Sequence, residues 1–202
     1  YLLNKATVKV EDTHEVLSQD LRNYLQQKQN TEILGFWKLQ LGIYNTSSQD
    51  TTKWTSRNAR KIGEPPVIYS EELTERSMQQ LEHAMDNKGY FQAEIDTTKV
   101  VKEKKLDLTY HVTANDPYHI RNYTISFPNT DLQQIAASER FRLLREGMRF
   151  DVDLMNQERQ RIASAMRRNG CYYFDKELIR FVADTTWGKR QVDLTICLQD
   201  YF

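Results

Sequence analysis

The stretch YSEELTERSMQQLEHAMDNKGYFQAEI, residues 69–95, decides the fold because it returns in altered form as FDVDLMNQERQRIASAMRRNGCYYFDK, residues 150–176. One constant offset superposes positions of the same character: Tyr69 on Phe150, Leu73 on Leu154, Leu81 on Ile162, Met85 on Met166 and Gly89 on Gly170. The chain therefore contains two repeats of one supersecondary type.

Each copy carries the signals of a helix start and a helix stop. Ser70 and Asp151 are residue types that cap a helix by accepting a hydrogen bond from a first-turn backbone N–H. Apolar residues then recur at helical spacing, which predicts one buried stripe per helix. Gly89 and Gly170 follow the last apolar residue. We expect positive φ at both, because glycine adopts the left-handed region without steric cost.

Alternating apolar residues before and after these helices predict strands. The alternating sets are Ala6, Val8 and Val10; Phe91, Ala93 and Ile95; Leu106, Leu108, Tyr110 and Val112; Tyr123, Ile125 and Phe127; and Val192, Leu194, Ile196 and Leu198. Shorter helices are predicted behind a Ser18 cap and from about Asp131. Each repeat thus reads strand, helix, helix, strand, strand. This order predicts an α+β fold with a three-stranded mixed sheet, covered on one face by two helices.

The element order, with helices that end in NKGYF (87–91) and RNGCY (168–172), resembles the POTRA domain, the polypeptide-transport-associated module. The stretch GEPPVIY (63–69) and the opening YLLNK (1–5) further resemble outer-membrane assembly proteins of the TamA/TamL and BamA type from the Bacteroidota. The resemblance covers nearly the whole chain.

Two tandem POTRA units follow from this resemblance. The first is expected at residues 1–114, with an insertion at about 30–66 between its two helices. The second is expected at residues 115–202. Both are long enough to bury a modest core.

Charge and hydropathy exclude several classes of function. Lys and Arg together number 28, as do Asp and Glu, so the formal net charge is zero. Such a chain lacks the basic surface that binding to nucleic-acid phosphates requires. No stretch approaches the roughly 20 apolar residues of a membrane span, and no signal peptide is recognisable. We expect a soluble piece of a longer protein.

The histidines and cysteines of the sequence form no catalytic or metal-binding motif. The histidines are scattered, with no carboxylate or cysteine at metal-ligand spacing: His14, His83, His111 and His119. No glycine-rich phosphate loop, nucleophile elbow or paired-cysteine motif occurs. We therefore expect neither enzymatic activity nor a cofactor.

The resemblance implies a place in the periplasm, attached to the outer membrane through the rest of the chain. There the POTRA units would receive unfolded outer-membrane proteins. Together with partner proteins of the assembly machinery, they would pass these clients to a C-terminal membrane barrel of the same chain.

The fold permits client binding by β-augmentation, because an edge strand offers backbone N–H and C=O groups to an extended peptide. The middle strand of each repeat, predicted at residues 90–97 and 172–181, should lie at an edge, since its hairpin partner separates it from the first strand. The predicted peptide-binding residues are Tyr90, Phe91, Gln92, Ala93, Glu94, Ile95, Tyr172, Tyr173 and Phe174.

The insertion contains ILGFWKLQLGIYN, residues 33–45. One interpretation is an amphipathic helix that covers the core of its own unit. The other is a docking surface for a partner chain or the periplasmic leaflet. The predicted docking residues are Phe36, Trp37, Ile43 and Tyr44.

Two other functions stay open. One is a purely structural or docking spacer that holds partner lipoproteins or a tethered periplasmic protein and touches no client. The other is the POTRA pair of a two-partner secretion transporter or a cell-division protein, which the stretch at residues 63–69 disfavours.

Overall fold

The computed structural model describes residues 1–13, 15–30, 65–137 and 142–199. The chain divides into two compact units. The first consists of Tyr1–His83 and Glu94–Thr113, and the second of Ala84–Ala93 and Ala114–Phe202. The limits expected for the two POTRA units, 1–114 and 115–202, stay a prediction.

The first repeat begins with strand β1 (Leu2–Val10), which is followed by the short helix α1 (Ser18–Leu21) and a 3-10 turn at Arg22–Tyr24. Helix α2 (Glu71–Asn87) and strands β2 (Glu94–Lys102) and β3 (Lys105–Thr113) complete it. The sheet order is β1-β3-β2, with β1 parallel and β2 antiparallel to β3. This is the predicted mixed sheet.

The second repeat has the same topology. It consists of β4 (His119–Ser126), α3 (Thr130–Ala136), α4 (Val152–Arg168), a 3-10 turn at Lys176–Leu178, β5 (Ile179–Asp184) and β6 (Gln191–Leu198). Its sheet order is β4-β6-β5, with β4 parallel and β5 antiparallel to β6. The predicted order of elements is therefore confirmed in both repeats.

Both long helices begin at the predicted caps. The Ser70 hydroxyl accepts from the Leu73 N–H at 3.4 Å, ahead of α2. The Asp151 carboxylate accepts from the N–H groups of Asp153 and Leu154 at 2.9 and 3.1 Å, ahead of α4. Each side chain thereby satisfies first-turn N–H groups that have no partner inside the helix.

Both helices also end alike. Gly89 and Gly170 have φ of 87° and 98°, which confirms the predicted left-handed caps. The N–H of Tyr90 donates to the Met85 carbonyl, and that of Cys171 to the Met166 carbonyl, each at 3.0 Å. These bonds close a Schellman motif, which satisfies helix carbonyls and turns the chain back toward the core.

The core of the second repeat joins its helices to one face of its sheet. One cluster contains buried residues of α3, α4 and all three strands, including Ala136, Ile162 and Ile196. A second cluster packs α4 against β4 and β6 around Met155, Ile120 and Leu194. In the first repeat the inward positions of β3 predicted from the alternation are all buried: Leu106, Leu108, Tyr110 and Val112.

The predicted limits of the middle strands are wrong at their N-terminal ends. The N–H of Ala93 donates to the Tyr90 carbonyl at 3.1 Å, and that of Phe174 to the Cys171 carbonyl at 3.0 Å. A turn therefore follows each helix cap, and β2 begins only at Glu94. In the second repeat a 3-10 turn also intervenes, so β5 begins at Ile179.

The predicted Ser18 cap is also wrong. Leu17 holds the N-cap position of α1 and makes no side-chain cap bond. The Ser18 hydroxyl instead accepts from the N–H of Val10 at 3.3 Å. A bond to the neighbouring strand has replaced the local cap, and α1 gives way to a 3-10 turn after four residues.

Candidate peptide-binding edges

Each three-stranded sheet has two edges, and in the first repeat one of them is closed. Along β1, the N–H of Leu3 donates to the Val67 carbonyl at 2.8 Å, and the N–H of Ala6 donates to the Gln29 side chain at 2.7 Å. Ser18 takes the N–H of Val10, as described above. These bonds occupy donors on the side of β1 that faces away from β3, so an incoming peptide would have to displace them.

The start of β4 is closed in the same way. The N–H of Ile120 donates to the Met148 carbonyl at 2.8 Å, and the N–H of Gly147 donates to the Ile120 carbonyl at 2.7 Å. An isolated bridge between His119 and Arg149 adds to this cover.

The opposite edges belong to β2 and β5. Among the residues that the structure describes, β2 has β3 as its one strand neighbour and β5 has β6. These two strands are therefore the candidate edges for an added strand, as the sequence predicts.

Register decides which donors of β2 face outward. The N–H of Glu11 donates to the Val112 carbonyl at 3.1 Å, so the peptide groups of Val112 face β1. The side to which the backbone N–H and C=O groups point alternates from one residue to the next along a strand. The peptide groups of Thr109 and His111 therefore face β2 and form backbone hydrogen bonds with their partners Thr98 and Asp96. The donors that point away from the sheet belong to the residues between: Ile95, Thr97, Lys99 and Val101.

The same reasoning applies to β5. The N–H of Gln199 donates to the Leu178 carbonyl at 2.7 Å, which shows that odd-numbered residues of β6 face β5. The β5 residues that pair with these odd-numbered residues therefore direct their N–H groups toward β6, inside the sheet. The outward donors therefore belong to Ile179, Phe181 and Ala183.

The two edges differ in length and in apolar surface. Strand β2 has nine residues and β5 has six. Val100 and Val101 are nearly half exposed near the end of β2. On β5, Val182 is exposed to a similar extent. Strand β2 also carries charged residues, including Glu94, Asp96 and Lys102. Charges on an edge strand limit edge-to-edge aggregation, and the longer β2 offers more backbone to a peptide.

An ion pair holds the middle of β2 to the start of α2. The Lys99 ammonium bonds to the Glu71 carboxylate and lies 5.3 Å from the centroid of the Tyr69 ring. The hydrogen bond to Glu71 raises the pKa of Lys99 to about 12. The hydrogen bond to Lys99 in turn lowers the pKa of Glu71 below its ordinary range. Both groups are charged at neutral pH, and Glu71 also lies in the first helical turn, where the helix dipole favours an anion.

The structure places two of the nine predicted peptide-binding residues, Glu94 and Ile95, on an edge strand. Tyr90 is buried, and Phe174 packs against the core cluster of the second repeat. The turns that follow the two helices hold the remaining five: Phe91, Gln92, Ala93, Tyr172 and Tyr173.

Sequence reasoning missed the second half of β2, from Thr98 to Lys102. The sequence does indicate where β2 lies, because the alternation of apolar residues in Leu106–Val112 locates its hairpin partner β3. The two residues Glu103 and Lys104 join the strands, and Lys102 pairs with Lys105. Running the hairpin back from this short turn places β2 opposite β3.

The predicted docking residues Phe36, Trp37, Ile43 and Tyr44 lie outside the described residues. Within the described ranges, no three His, Cys, Asp or Glu side chains form a group that could hold a metal ion. The described helices also include none that is long and apolar enough to cross a membrane. The candidate site consists of the outward backbone groups of two sheet edges, β2 and β5.

No curated protein matches the chain. Among solved structures, the chain is similar to POTRA3-5 of BamA from Haemophilus influenzae, with 12% identity and a TM-score of 0.42 over 99% of this chain and 61% of that one. It is also similar to BamA from Haemophilus ducreyi lacking POTRA domains 1–3, with 13% identity and a TM-score of 0.44 over 100% of this chain and 30% of that one.

A third similar structure is POTRA1-2 of the periplasmic domain of Omp85 from Anabaena, with 12% identity and a TM-score of 0.40 over 100% of this chain and 97% of that one. The POTRA family model, described as "Surface antigen variable number repeat", matches residues 6–115. Because this match covers more than half of its length, the chain belongs to the POTRA family.

Proposed function

We propose that this chain binds unfolded outer-membrane proteins by β-augmentation, with the edge of β2 as the principal site and the edge of β5 as a second one. The observation that carries the proposal is the asymmetry of the sheet. Side chains and loop backbone close the β1 edge, whereas β2 has one strand neighbour and directs the N–H groups of Ile95, Thr97, Lys99 and Val101 outward.

Such binding is weak and tolerant of client sequence. Backbone hydrogen bonds contribute about 0.5–1.5 kcal/mol each, and every extended segment can form them. Exposed Val100 and Val101 favour apolar side chains in the client, while Asp96 and Lys102 keep the edge soluble. Tolerance and weakness suit a factor that receives many clients and must release them.

The place of this activity is the periplasm, at the outer membrane, to which the rest of the protein attaches. POTRA family membership supports this, and the resemblance of residues 63–69 and 1–5 to TamA/TamL and BamA type proteins supports a Bacteroidota assembly factor. Clients would pass to a C-terminal barrel of the same protein. Partner proteins of the machinery would dock on the insertion through Phe36, Trp37, Ile43 and Tyr44.

An NMR titration tests the β2 site. A soluble peptide of alternating valine and threonine, flanked by lysines, should shift the amides of Ile95, Thr97, Lys99 and Val101 more than those of β1 or β3. Thr97→Pro removes one outward donor at a position where an edge strand tolerates proline. It should weaken binding about fivefold, as expected for one lost hydrogen bond.

Thr97→Val is the matched control, because it changes the side chain and keeps the N–H; its binding should equal that of the wild type. Wild-type affinity of Thr97→Pro would contradict augmentation at β2. Amide shifts confined to residues 30–66 would instead support a docking spacer.

A further inference from the structure

The candidate edge of β2 carries its charges in a fixed order along one face. Five exposed residues alternate along the strand and share that face: Glu94, Asp96, Thr98, Val100 and Lys102. The face is the one turned away from the helices, because Ile95, on the other face, pairs with the buried Val112. Acidic residues therefore stand at the start of this face, an apolar residue follows, and a basic residue stands at the end.

The charges at the two ends of β2 are available to a ligand. Within the described ranges, neither Asp96 nor Lys102 enters an ion pair, whereas Lys99 between them is bound to Glu71 on the helix side. The next three residues, Glu103–Lys105, are one glutamate and two lysines, so they add a net positive charge to the basic end. The edge is thus acidic at one end and basic at the other.

The edge of β5 carries the reverse order. Its exposed face reads Arg180, Val182 and Asp184 from the start of the strand to its end. Asp184 is ionised at neutral pH, because hydrogen bonds from the backbone N–H and the hydroxyl of Thr186 lower its pKa. Both candidate edges therefore place a valine between opposite charges, and they differ in which charge comes first.

Backbone geometry decides how closely the side chains of a client approach these residues. The outward N–H groups of β2 belong to the odd-numbered residues, so an antiparallel client forms its hydrogen-bonded pairs with them. Asp96, Val100 and Lys102 then stand in the non-hydrogen-bonded pairs, where Cα atoms are about 4.5 Å apart instead of about 5.5 Å. A parallel client lacks these close pairs, and parallel pairing is slightly less stable per residue.

We infer that β2 selects client segments that run antiparallel to it and carry an acidic residue, then an apolar one, then a basic one. The acid meets Lys102, the apolar side chain meets Val100 and the base meets Asp96. The β5 edge selects the opposite order, with the base first. This inference rests on the proposed function, since it assigns client specificity to the same edges. Backbone bonds supply the affinity that all extended segments share, and the charges set the direction and the edge.

Two peptides that differ only in the order of their charges test the inference: acetyl-ETVTVTK-amide and acetyl-KTVTVTE-amide. The segment between their charged ends reads the same in both directions, so the apolar pattern is identical. In NMR titrations at low ionic strength, the first should bind β2 about fivefold more tightly, because the second matches the charges only in the weaker parallel direction. Amides of Ile95, Thr97, Lys99 and Val101 report this binding. The preference should vanish in about 0.5 M NaCl, which screens exposed charges.

A nitroxide in place of the acetyl group of the first peptide reads its direction on β2. It should broaden the amide of Val101 more than that of Ile95, since an antiparallel peptide begins beside Lys102. Broadening centred on Ile95 would show a parallel client and overturn the inference.

Asp96→Lys/Lys102→Asp exchanges the end charges of β2 and should invert the preference at that edge. Thermal unfolding should stay close to that of the wild type, since both side chains are exposed. On β5, read from the amides of Phe181 and Ala183, the KTVTVTE peptide should be preferred in the variant and the wild type alike.

The outcomes separate this inference from the proposed function. Equal shifts of the β2 amides by both peptides would overturn the charge order and leave augmentation at β2 standing. One peptide preferred at both edges, or a preference at β2 that the charge exchange leaves unmoved, would overturn it as well. If neither peptide shifts the β2 amides, the proposed function fails and the inference fails with it.

Discussion

Ser77 and Glu158 occupy the same position in the two repeats, and both are fully buried. Each accepts a hydrogen bond from the backbone that connects the helices of its repeat. The Ser77 hydroxyl accepts from the N–H of Gln26, and the Glu158 carboxylate accepts from the N–H of Leu143, each at 3.0 Å. The fold thus requires a buried acceptor at this position, and the two repeats supply it with different chemistry.

The two buried acceptors differ in the further hydrogen bonds and ion pairs that they form. Ser77 is neutral and completes its bonding within its own helix, by donating to the Leu73 carbonyl at 2.6 Å. Glu158 is paired with Arg161, at 2.8 and 2.9 Å, and also accepts from the Tyr123 hydroxyl at 3.1 Å. The neutral serine therefore needs no counter-charge, whereas a buried carboxylate depends on a network.

Removing the buried acceptor should have the largest effect in the second repeat. We expect Glu158→Ala to lower the free energy of unfolding by about 3–5 kcal/mol, because it leaves Arg161 without its buried partner and the N–H of Leu143 without an acceptor. Ser77→Ala should cost about 1–3 kcal/mol, since one buried N–H loses its partner. Urea denaturation measures both. Equal losses would show that the charge adds nothing to the fold.

The helix-capping glycines give the second comparison. A Cβ on Gly89 would lie 2.5 Å from the Phe150 carbonyl oxygen, whereas one on Gly170 would meet nothing within 4 Å. Gly170→Ala should therefore cost only the left-handed strain of about 1–2 kcal/mol.

Gly89→Ala adds overpacking to the same strain, so we expect a total of roughly 2–4 kcal/mol. Thermal unfolding of the two variants, measured side by side, isolates the packing contribution. If Gly89→Ala proves no worse than Gly170→Ala, the close approach to Phe150 is not maintained in solution.

The smallest expected effect concerns pH. The link between Lys99 and Glu71 has no counterpart in the second repeat, where Ala183 and Val152 stand at the equivalent positions. The pKa of Glu71 is lowered by its bond to Lys99, so the stabilisation is present above the ordinary value of 4.5. It is lost as pH falls through the lowered pKa, when the carboxylate is protonated.

We therefore expect Glu71→Gln to lower the melting temperature slightly at pH 7 and not at all well below pH 4.5, because both groups are largely exposed. Lys99→Gln is the control, since it removes the same link and leaves the charge of Glu71 in the first helical turn. A loss of stability at pH 7 in Glu71→Gln without one in Lys99→Gln would assign the effect to the helix dipole and not to the link with β2.

Much of the fold could be predicted from the sequence, and the site only in part. Strand order and the edge position of the middle strands followed from the repeat and its connections. The exact strand limits did not follow, because the alternation of Phe91, Ala93 and Ile95 continues through a turn that local backbone bonds impose. Tyr172 and Tyr173 were misplaced for the same reason, since an aromatic pair looks alike in a strand and in a turn.

By itself the sequence determined the repeat, the caps at Ser70 and Asp151, and the left-handed glycines. Each depends on atoms only a few residues apart, so short-range chemistry suffices. The tertiary structure alone decided which sheet edge is closed and which is open. The closing groups, such as Gln29 on the N–H of Ala6, come from distant parts of the chain, and their bonds exist only after the core has brought the elements together.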